Sequence, residues 1–440
     1  NSITLDSDDP VLKVNMMIAP ADMTSSTIEI KVTDSDGVSY INEEKAWTCT
    51  SAFAANTTIK VSRRLESSGS GEGDNNPEGS ETPYLTFCAN GTQTVKLNRK
   101  VPTLEYSVNN GEWTELGTNV VTFGGSSGDM RLRGKSDIGT AVAGANENSR
   151  TSFVFGNNSN EVECKGDIRT LIDYENYNTV RTNSACFAWL FYNAPIVSAP
   201  ALPATQLAVS CYSRMFYGCT SLSSAPELPA TELADYCYYY MFQGCSSLSS
   251  APALLATQLA KGCYSFMFYG CTSLSSAPEL RATQLASSCY HGMFAGCTSL
   301  SSAPELRATE LADYCYSNMF SFCTSLSSAP ELRATQLAVG CYFLMFADCT
   351  SLSSAPSLPA TQLARSCYYR MFEGCTSLSS APELPATQLA PSCYSYMFQD
   401  CNQLSYVKMM ATDISAGNCF DSWLYSVAPS GTFVKNSAAT

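Results

Sequence analysis

The chain has a single histidine, His291, and four tryptophans among 440 residues. One histidine cannot supply a metal ligand set, and no Cys-x-x-Cys pair occurs to replace it, so a metal is not expected. No apolar run approaches the roughly 20 residues that a transmembrane helix needs. Cations are also scarce: 25 Lys and Arg stand against 39 Asp and Glu, a net charge of −14. That balance argues against nucleic acid, whose affinity rests on Lys and Arg at phosphates, and against anionic membrane surfaces. No signal peptide opens at Asn1, so the sequence is expected to be cytosolic or the mature part of an exported protein.

Cysteine, by contrast, is abundant, with 21 residues. Most fall in two columns at a spacing of 26: Cys211, Cys237, Cys263 and onward to Cys419, and Cys219, Cys245, Cys271 and onward to Cys401. A fixed period of this size marks a solenoid, in which each unit is too small to bury its own core and stacks on its neighbours. Repetition spreads identical side chains along the array and assembles no unique constellation, so neither catalysis nor a cofactor is expected.

Within one unit, Leu207, Cys211 and Met215 are four apart and share a face of a predicted helix, flanked by Phe216. Gly218 and its equivalents Gly244, Gly270, Gly296 and Gly374 suit a helix C-terminus. Leu222, Ala225 and Leu228 follow as a short parallel strand, kept short by Pro226. One helix and one short strand per unit give an α/β solenoid of leucine-rich-repeat type. At about 4.8 Å per strand, nine coils form a sheet roughly 40 Å long. Positions equivalent to 209, 210, 213, 214 and 217 vary freely between units, so they form the exposed face.

On such a helix the two cysteines of a unit lie roughly 12 Å apart, beyond disulfide reach. The second column would sit near strands spaced about 5 Å apart, where a bond is possible, but pairing would break the equivalence of the units. The columns, beginning Cys211, Cys219, Cys237, Cys245, Cys263 and Cys271, are therefore read as reduced core positions.

Residues 1–64 read as a β-rich segment or Ig-like domain, and 65–82 as a linker or long loop. Short strands at 84–87, 95–97, 104–108, 120–123, 130–132 and 153–155, with turn signals at Asn90-Gly91 and Asn110-Gly111, predict a small all-β, sandwich-like region over 83–165. The repeat domain then runs over 166–440. An irregular cap opens it at Cys186–Phe191, where Ala194 stands in place of the second cysteine, and another closes it at Cys419–Tyr425.

The unit C-[YF]-x-x-M-F-x-G-C-T-S-L-x-S-A-P-E-L-P-A-T, with Phe216, Cys219 and Leu222 at its centre, resembles the BspA-like leucine-rich repeats of Bacteroides-type anaerobic bacteria. The tail Trp423-Leu424-Tyr425 and Gly431-Thr432-Phe433, and the block Leu104–Trp113, also resemble parts of such proteins. The resemblance implies a non-enzymatic protein exported to the outer membrane surface or beyond. It also implies adhesion to host, matrix or bacterial surface proteins, and a lipid anchor lying outside this chain. A glycan-binding accessory protein is the alternative.

Two sets of residues are candidates for binding. Arg281, Arg307 and Arg333 lie two positions after Glu279, Glu305 and Glu331, so they form either a charged stripe for a polar ligand or, as favoured here, a ladder that neutralises itself. The aromatics Tyr217, Tyr236, Tyr239, Tyr240, Phe266, Tyr269, Phe343, Tyr369 and Tyr396 occupy the variable face. They suit an interface or partial burial between units equally well. His291 and Cys289 are not read as a nucleophilic dyad, because they belong to opposite faces. Asp6, Asp8, Asp9, Asp34 and Asp36 suit turns better than calcium.

Overall fold

The structure, a computed structural model, describes residues 82–136, 138–141 and 151–438, together with four short strands ahead of them. Those strands pair as β1 (Thr27–Ile28) with β4 (Trp47–Thr48), and β2 (Val32–Thr33) with β3 (Ser39–Tyr40). The remaining readings on residues 1–81, including the linker and the five aspartates, lie outside the described residues. The chain divides into two compact units, Asn1–Glu78 and Gly79–Thr440.

The second unit opens with β5 (Leu85–Cys88), β6 (Gln93–Leu97), β7 (Glu105–Val108), β8 (Thr114–Glu115), β9 (Val121–Phe123), β10 (Met130–Arg133), β11 (Phe153–Phe155) and β12 (Val162–Lys165). With β13 (Ile196–Ser198) they make a six-stranded sheet, ordered β13-β12-β5-β10-β7-β8, and a three-stranded sheet, β11-β6-β9. Alternate residues of β5, β6, β9, β10, β11 and β12 are buried. Phe87 of the larger sheet meets Phe123 and Phe153 of the smaller, with ring centroids 6.0 and 5.0 Å apart. Strand β12 pairs in parallel with β13, so the larger sheet runs across position 165/166 into the first coil.

One turn differs from the sequence reading. Asn90-Gly91 closes no hairpin, because β5 and β6 belong to different sheets. The chain crosses between layers there. The tight turn before β8 is centred on Asn109 and Asn110, with φ of 50° and 58°. The Gly111 N–H donates to the Val108 carbonyl across it.

The predicted helix is absent, and this is the main correction to the fold. Residues 208–219 and their equivalents form a ribbon of successive turns. The N–H groups of Cys211, Ser213, Met215, Tyr217 and Cys219 donate to the carbonyls three residues back. Those of Ser210, Tyr212, Arg214, Phe216 and Gly218 donate to Asp235, Cys237, Tyr239, Met241 and Gln243 of the next coil. Half the backbone donors therefore hold the ribbon and half hold the stack, and none is left for a helix.

Ser210, Arg214 and Gly218 have φ of 54°, 55° and 71°, and the same four-residue rhythm recurs in every later coil. The glycines taken for helix ends are thus one column of left-handed residues. A ribbon of period four buries pairs of residues and exposes the pairs between, which over nine residues mimics a helical face. Cys, Met and Phe are buried as predicted, joined by a tyrosine column from Tyr212 to Tyr394, whereas the leucine column is buried at Leu207 and only partly buried from Leu233 to Leu389. The parallel strand at Leu222–Leu228 is also absent. Parallel pairing of that segment survives as a strand only at the C-terminal end, where its equivalent Tyr406–Met409 pairs with Thr432–Lys435, and elsewhere along the coils it shrinks to single bridges such as Gln258 with Gln284.

The ribbon makes a prediction opposite in sign to that of a helix. Ser366, at φ 54°, gains up to about 1 kcal/mol on change to Gly, because a non-glycine residue in this region costs roughly 1–2 kcal/mol. In a helix the same change would lose about 0.5 kcal/mol. Ser366→Val should destabilise further than wild type. Denaturant melts of the two variants check the order.

One hydrophobic core runs from Leu85 through the stacked coils to Cys419. Phenylalanines form one ring stack, with Phe268, Phe294 and Phe320 at 5.7 and 5.8 Å, and tyrosines form another. Cysteines described in both columns are free, and all are buried. Thiols of the second column donate to a phenylalanine carbonyl one coil back, as from Cys245 to Phe216 at 3.1 Å.

Candidate functional surface

Because the coils stack in register, side chains of one variable column lie directly above one another, although 25 or 26 residues separate them in sequence. Trp189, Arg214, Tyr240 and Phe266 form such a column, on or beside left-handed backbone positions that turn them outward. The Arg214 guanidinium lies 4.8 Å from the Trp189 ring, 4.7 Å from Tyr239 and 4.9 Å from Tyr240. Each such contact contributes about 0.5–1 kcal/mol at a surface.

Around this centre Tyr239 and Tyr240 meet edge to face at 4.3 Å, and Tyr240 stacks on Phe266 at 4.5 Å. Tyr217 joins through Trp189 and Tyr192 at 5.9 and 5.2 Å, and Tyr269 through Phe266 at 5.9 Å. Of the seven candidate tyrosines, Tyr217, Tyr239, Tyr240 and Tyr269 therefore fall in one cluster. They are half-buried against each other, with Tyr269 the most open at 39% exposure. Tyr236 also belongs, 5.5 Å from Tyr239.

Phe343, Tyr369 and Tyr396 form a second cluster. Phe343 stacks on Tyr369 at 4.8 Å, and the Arg370 guanidinium lies 4.5 Å from the Tyr396 ring. Between the two clusters the equivalent positions hold small residues, Gly292, Ala295, Ser317, Asn318 and Ser321, of which Gly292, Ala295, Ser317 and Ser321 are buried.

Trp189 and Arg214 were missed in the sequence. Their columns were marked as variable, but nothing local says that a tryptophan and an arginine 25 residues apart will touch.

The charged ladder forms fully. Arg281 binds Glu279 at 3.1 Å, Arg307 binds Glu279 and Glu305 at 2.8 and 3.2 Å, and Arg333 binds Glu305 and Glu331, both at 3.0 Å. Each arginine is shared between coils or held within one, so the stripe neutralises itself. Its members are 39–65% exposed, where solvent and salt screen ion pairs. Arg307→Ala should therefore cost under about 1 kcal/mol, and the cost should fade at high salt. A larger, salt-independent loss in denaturant melts would contradict this.

His291 sits edge-on to Phe266 at 4.6 Å, and its Nδ1 is buried without a hydrogen-bond partner. Burial lowers its pKa to about 4, so the ring is neutral at physiological pH. Burial pushes the Cys289 thiol in the opposite direction, up, so a thiolate–imidazolium pair does not form. Among the described residues, no three His, Cys, Asp or Glu side chains group as metal ligands. No helix there is long and apolar enough to cross a membrane.

Residues 342–428 match the family model described as the BspA type leucine rich repeat region, in 6 copies. No curated protein and no solved structure matches the chain.

Proposed function

We propose that this chain is a non-enzymatic, exported binding protein that contacts a host, matrix or bacterial surface protein through the variable lateral face of its solenoid. The observation that carries this reading is the cluster around Arg214. It gathers aromatic rings and a cation, the residue types that dominate interface energetics, on a rigid surface where the repeats otherwise change freely. The match to the BspA type repeat over 342–428 supports the same class of function. In this reading the sandwich-like region over 83–165 holds the array away from its anchor, and the protein acts at the outer membrane or beyond it.

The test is binding of the whole chain to host cells, matrix proteins and bacterial cells, and to a glycan array. Tyr239→Ala with Tyr240→Ala should weaken protein-mediated attachment by more than tenfold, by the usual size of hot-spot losses of about 2 kcal/mol, with the melting curve little changed. Binding confined to the glycan array, and lost on Tyr→Ala changes at 239, 240 and 269, would move the assignment to glycan capture. Turnover of an oligosaccharide that is lost on a single carboxylate change would overturn the non-enzymatic reading.

A further inference from the structure

The outer face of the six-stranded sheet carries its own gathering of rings and cations, built from residues outside the repeats. On β10, Arg131 and Arg133 alternate with the buried Met130 and Leu132, so both side chains lie on the side away from the core. Tyr84 leads into β5 on one side of β10, and Trp113 leads into β8 on the other. Tyr174 is brought alongside by the bridge between Lys135 and Asp173, and its N–H donates to the Gly134 carbonyl at 3.2 Å.

The two arginines are held differently. The Arg133 guanidinium lies 4.2 Å from the Trp113 ring and 4.4 Å from the Tyr174 ring, and its Nε donates to Glu105 at 2.7 Å. Nearby, Lys135 pairs with Glu175 and Arg169 with Asp167. Of these four cations Arg131 alone has no carboxylate partner among the described residues. Its Nε is buried and makes no hydrogen bond, so this donor has lost its water without gaining an acceptor. The Trp113 and Tyr84 rings compensate weakly. They lie 5.5 and 5.8 Å from the guanidinium, near the outer limit of about 6 Å for a cation–π contact.

We propose that Arg131 anchors a binding site for the carboxylate of a single Asp or Glu in a segment of a partner protein. A guanidinium presents parallel N–H groups that a carboxylate meets with both oxygens, and this supplies the missing acceptor. Tyr84 and Trp113, with ring centroids 4.9 Å apart, flank the site and suit apolar residues beside that carboxylate. Trp, Tyr and Arg are also the types that dominate protein interfaces. An acidic sugar fits less well, because Arg133 already covers a face of both Trp113 and Tyr174. A polyanion is disfavoured too, since Glu105, Asp173 and Glu175 lie among the cations and repel it. The sandwich-like region thus takes part in binding as well as spacing.

The probe is an array of capped peptides, each with one glutamate among apolar or aromatic residues, offered to the whole chain beside the same peptides carrying glutamine. The best glutamate peptides should bind about tenfold or more tightly than their glutamine counterparts, the usual size of a charge-assisted hydrogen bond. Arg131→Gln should abolish that preference, and Arg131→Lys should lose most of it, because lysine keeps the charge without the fork. Arg131 has no acceptor to lose, so the melting curve of both variants should hold. An array with no preference for glutamate, or a preference that Arg131→Gln leaves intact, would overturn the proposal. So would a large drop in melting temperature with peptide binding unchanged, which would make Arg131 structural. Binding of uronate glycans that is lost on Arg131→Gln would assign the site to a sugar and not to a peptide. Tyr239→Ala with Tyr240→Ala should leave the glutamate preference untouched, so this site and the lateral surface around Arg214 stand or fall separately.

Discussion

Phe294→Ala is expected to destabilise the array by about 3–5 kcal/mol, the usual range for removing a buried aromatic ring. Phe294 is fully buried and lies within 8° of parallel between Phe268 and Phe320. The neighbouring coils cannot close the gap, because the backbone bonds Phe268 N–H to Met293 and Phe294 N–H to Met319 fix their spacing. The loss should also depend on position. In a stack of near-neighbour contacts a central defect uncouples both flanks, whereas a terminal one frays a single coil. Phe420→Ala, in a ring that is only partly buried, should thus cost well under half as much. Calorimetry should show one transition in the wild type and a split one in Phe294→Ala. Equal losses at both positions would mean that the coils do not couple through the ring stack.

The second large effect is steep alkaline unfolding. Burial pushes the core thiols up, with Cys186, Cys237, Cys315 and Cys323 each reaching about 12. The tyrosines from Tyr212 to Tyr394 are raised as well, again chiefly by burial. A thiol in the unfolded chain ionises near pH 8.5. The fold holds the protonated form, so stability is complete below about pH 8.5 and falls as pH rises toward the folded values. Each thiol removes about 1.4 kcal/mol per pH unit in that window. Ten of them acting together remove about 14 kcal/mol per unit, as much as a typical domain stability of about 5–15 kcal/mol. Circular dichroism and thiolate absorbance, followed under reducing conditions, should therefore change together in a narrow step above pH 9. Thiolate appearing gradually from pH 8.5 with the fold intact would contradict the buried columns. At pH 8 the thiols should resist alkylation until the protein is unfolded.

Much of the molecule could be read from residue positions alone. The 26-residue period gave the register, because only one stacking brings Cys over Cys and Phe over Phe. The strands of the sandwich-like region were legible from alternation at Leu85–Cys88, Gln93–Leu97 and Met130–Arg133. The Glu–Arg ladder was legible because both partners repeat at fixed spacing. The helix was a misreading with a definite cause: over nine residues a period of four and a period of 3.6 bury nearly the same side chains.

The sequence by itself determined that the Cys, Met and Phe columns are core, since apolar identity at every twenty-sixth position has no other explanation, and the structure added the tyrosine column. Tertiary structure alone decided the backbone that carries them. Arg214, Tyr240 and Leu344 occupy left-handed positions that their residue types disfavour, because hydrogen bonds from the adjacent coils hold them there. The stack also decided which exposed residues meet. Trp189, Arg214 and Tyr240 are strangers in the sequence, and they touch because parallel coils about 4.8 Å apart set equivalent positions side by side.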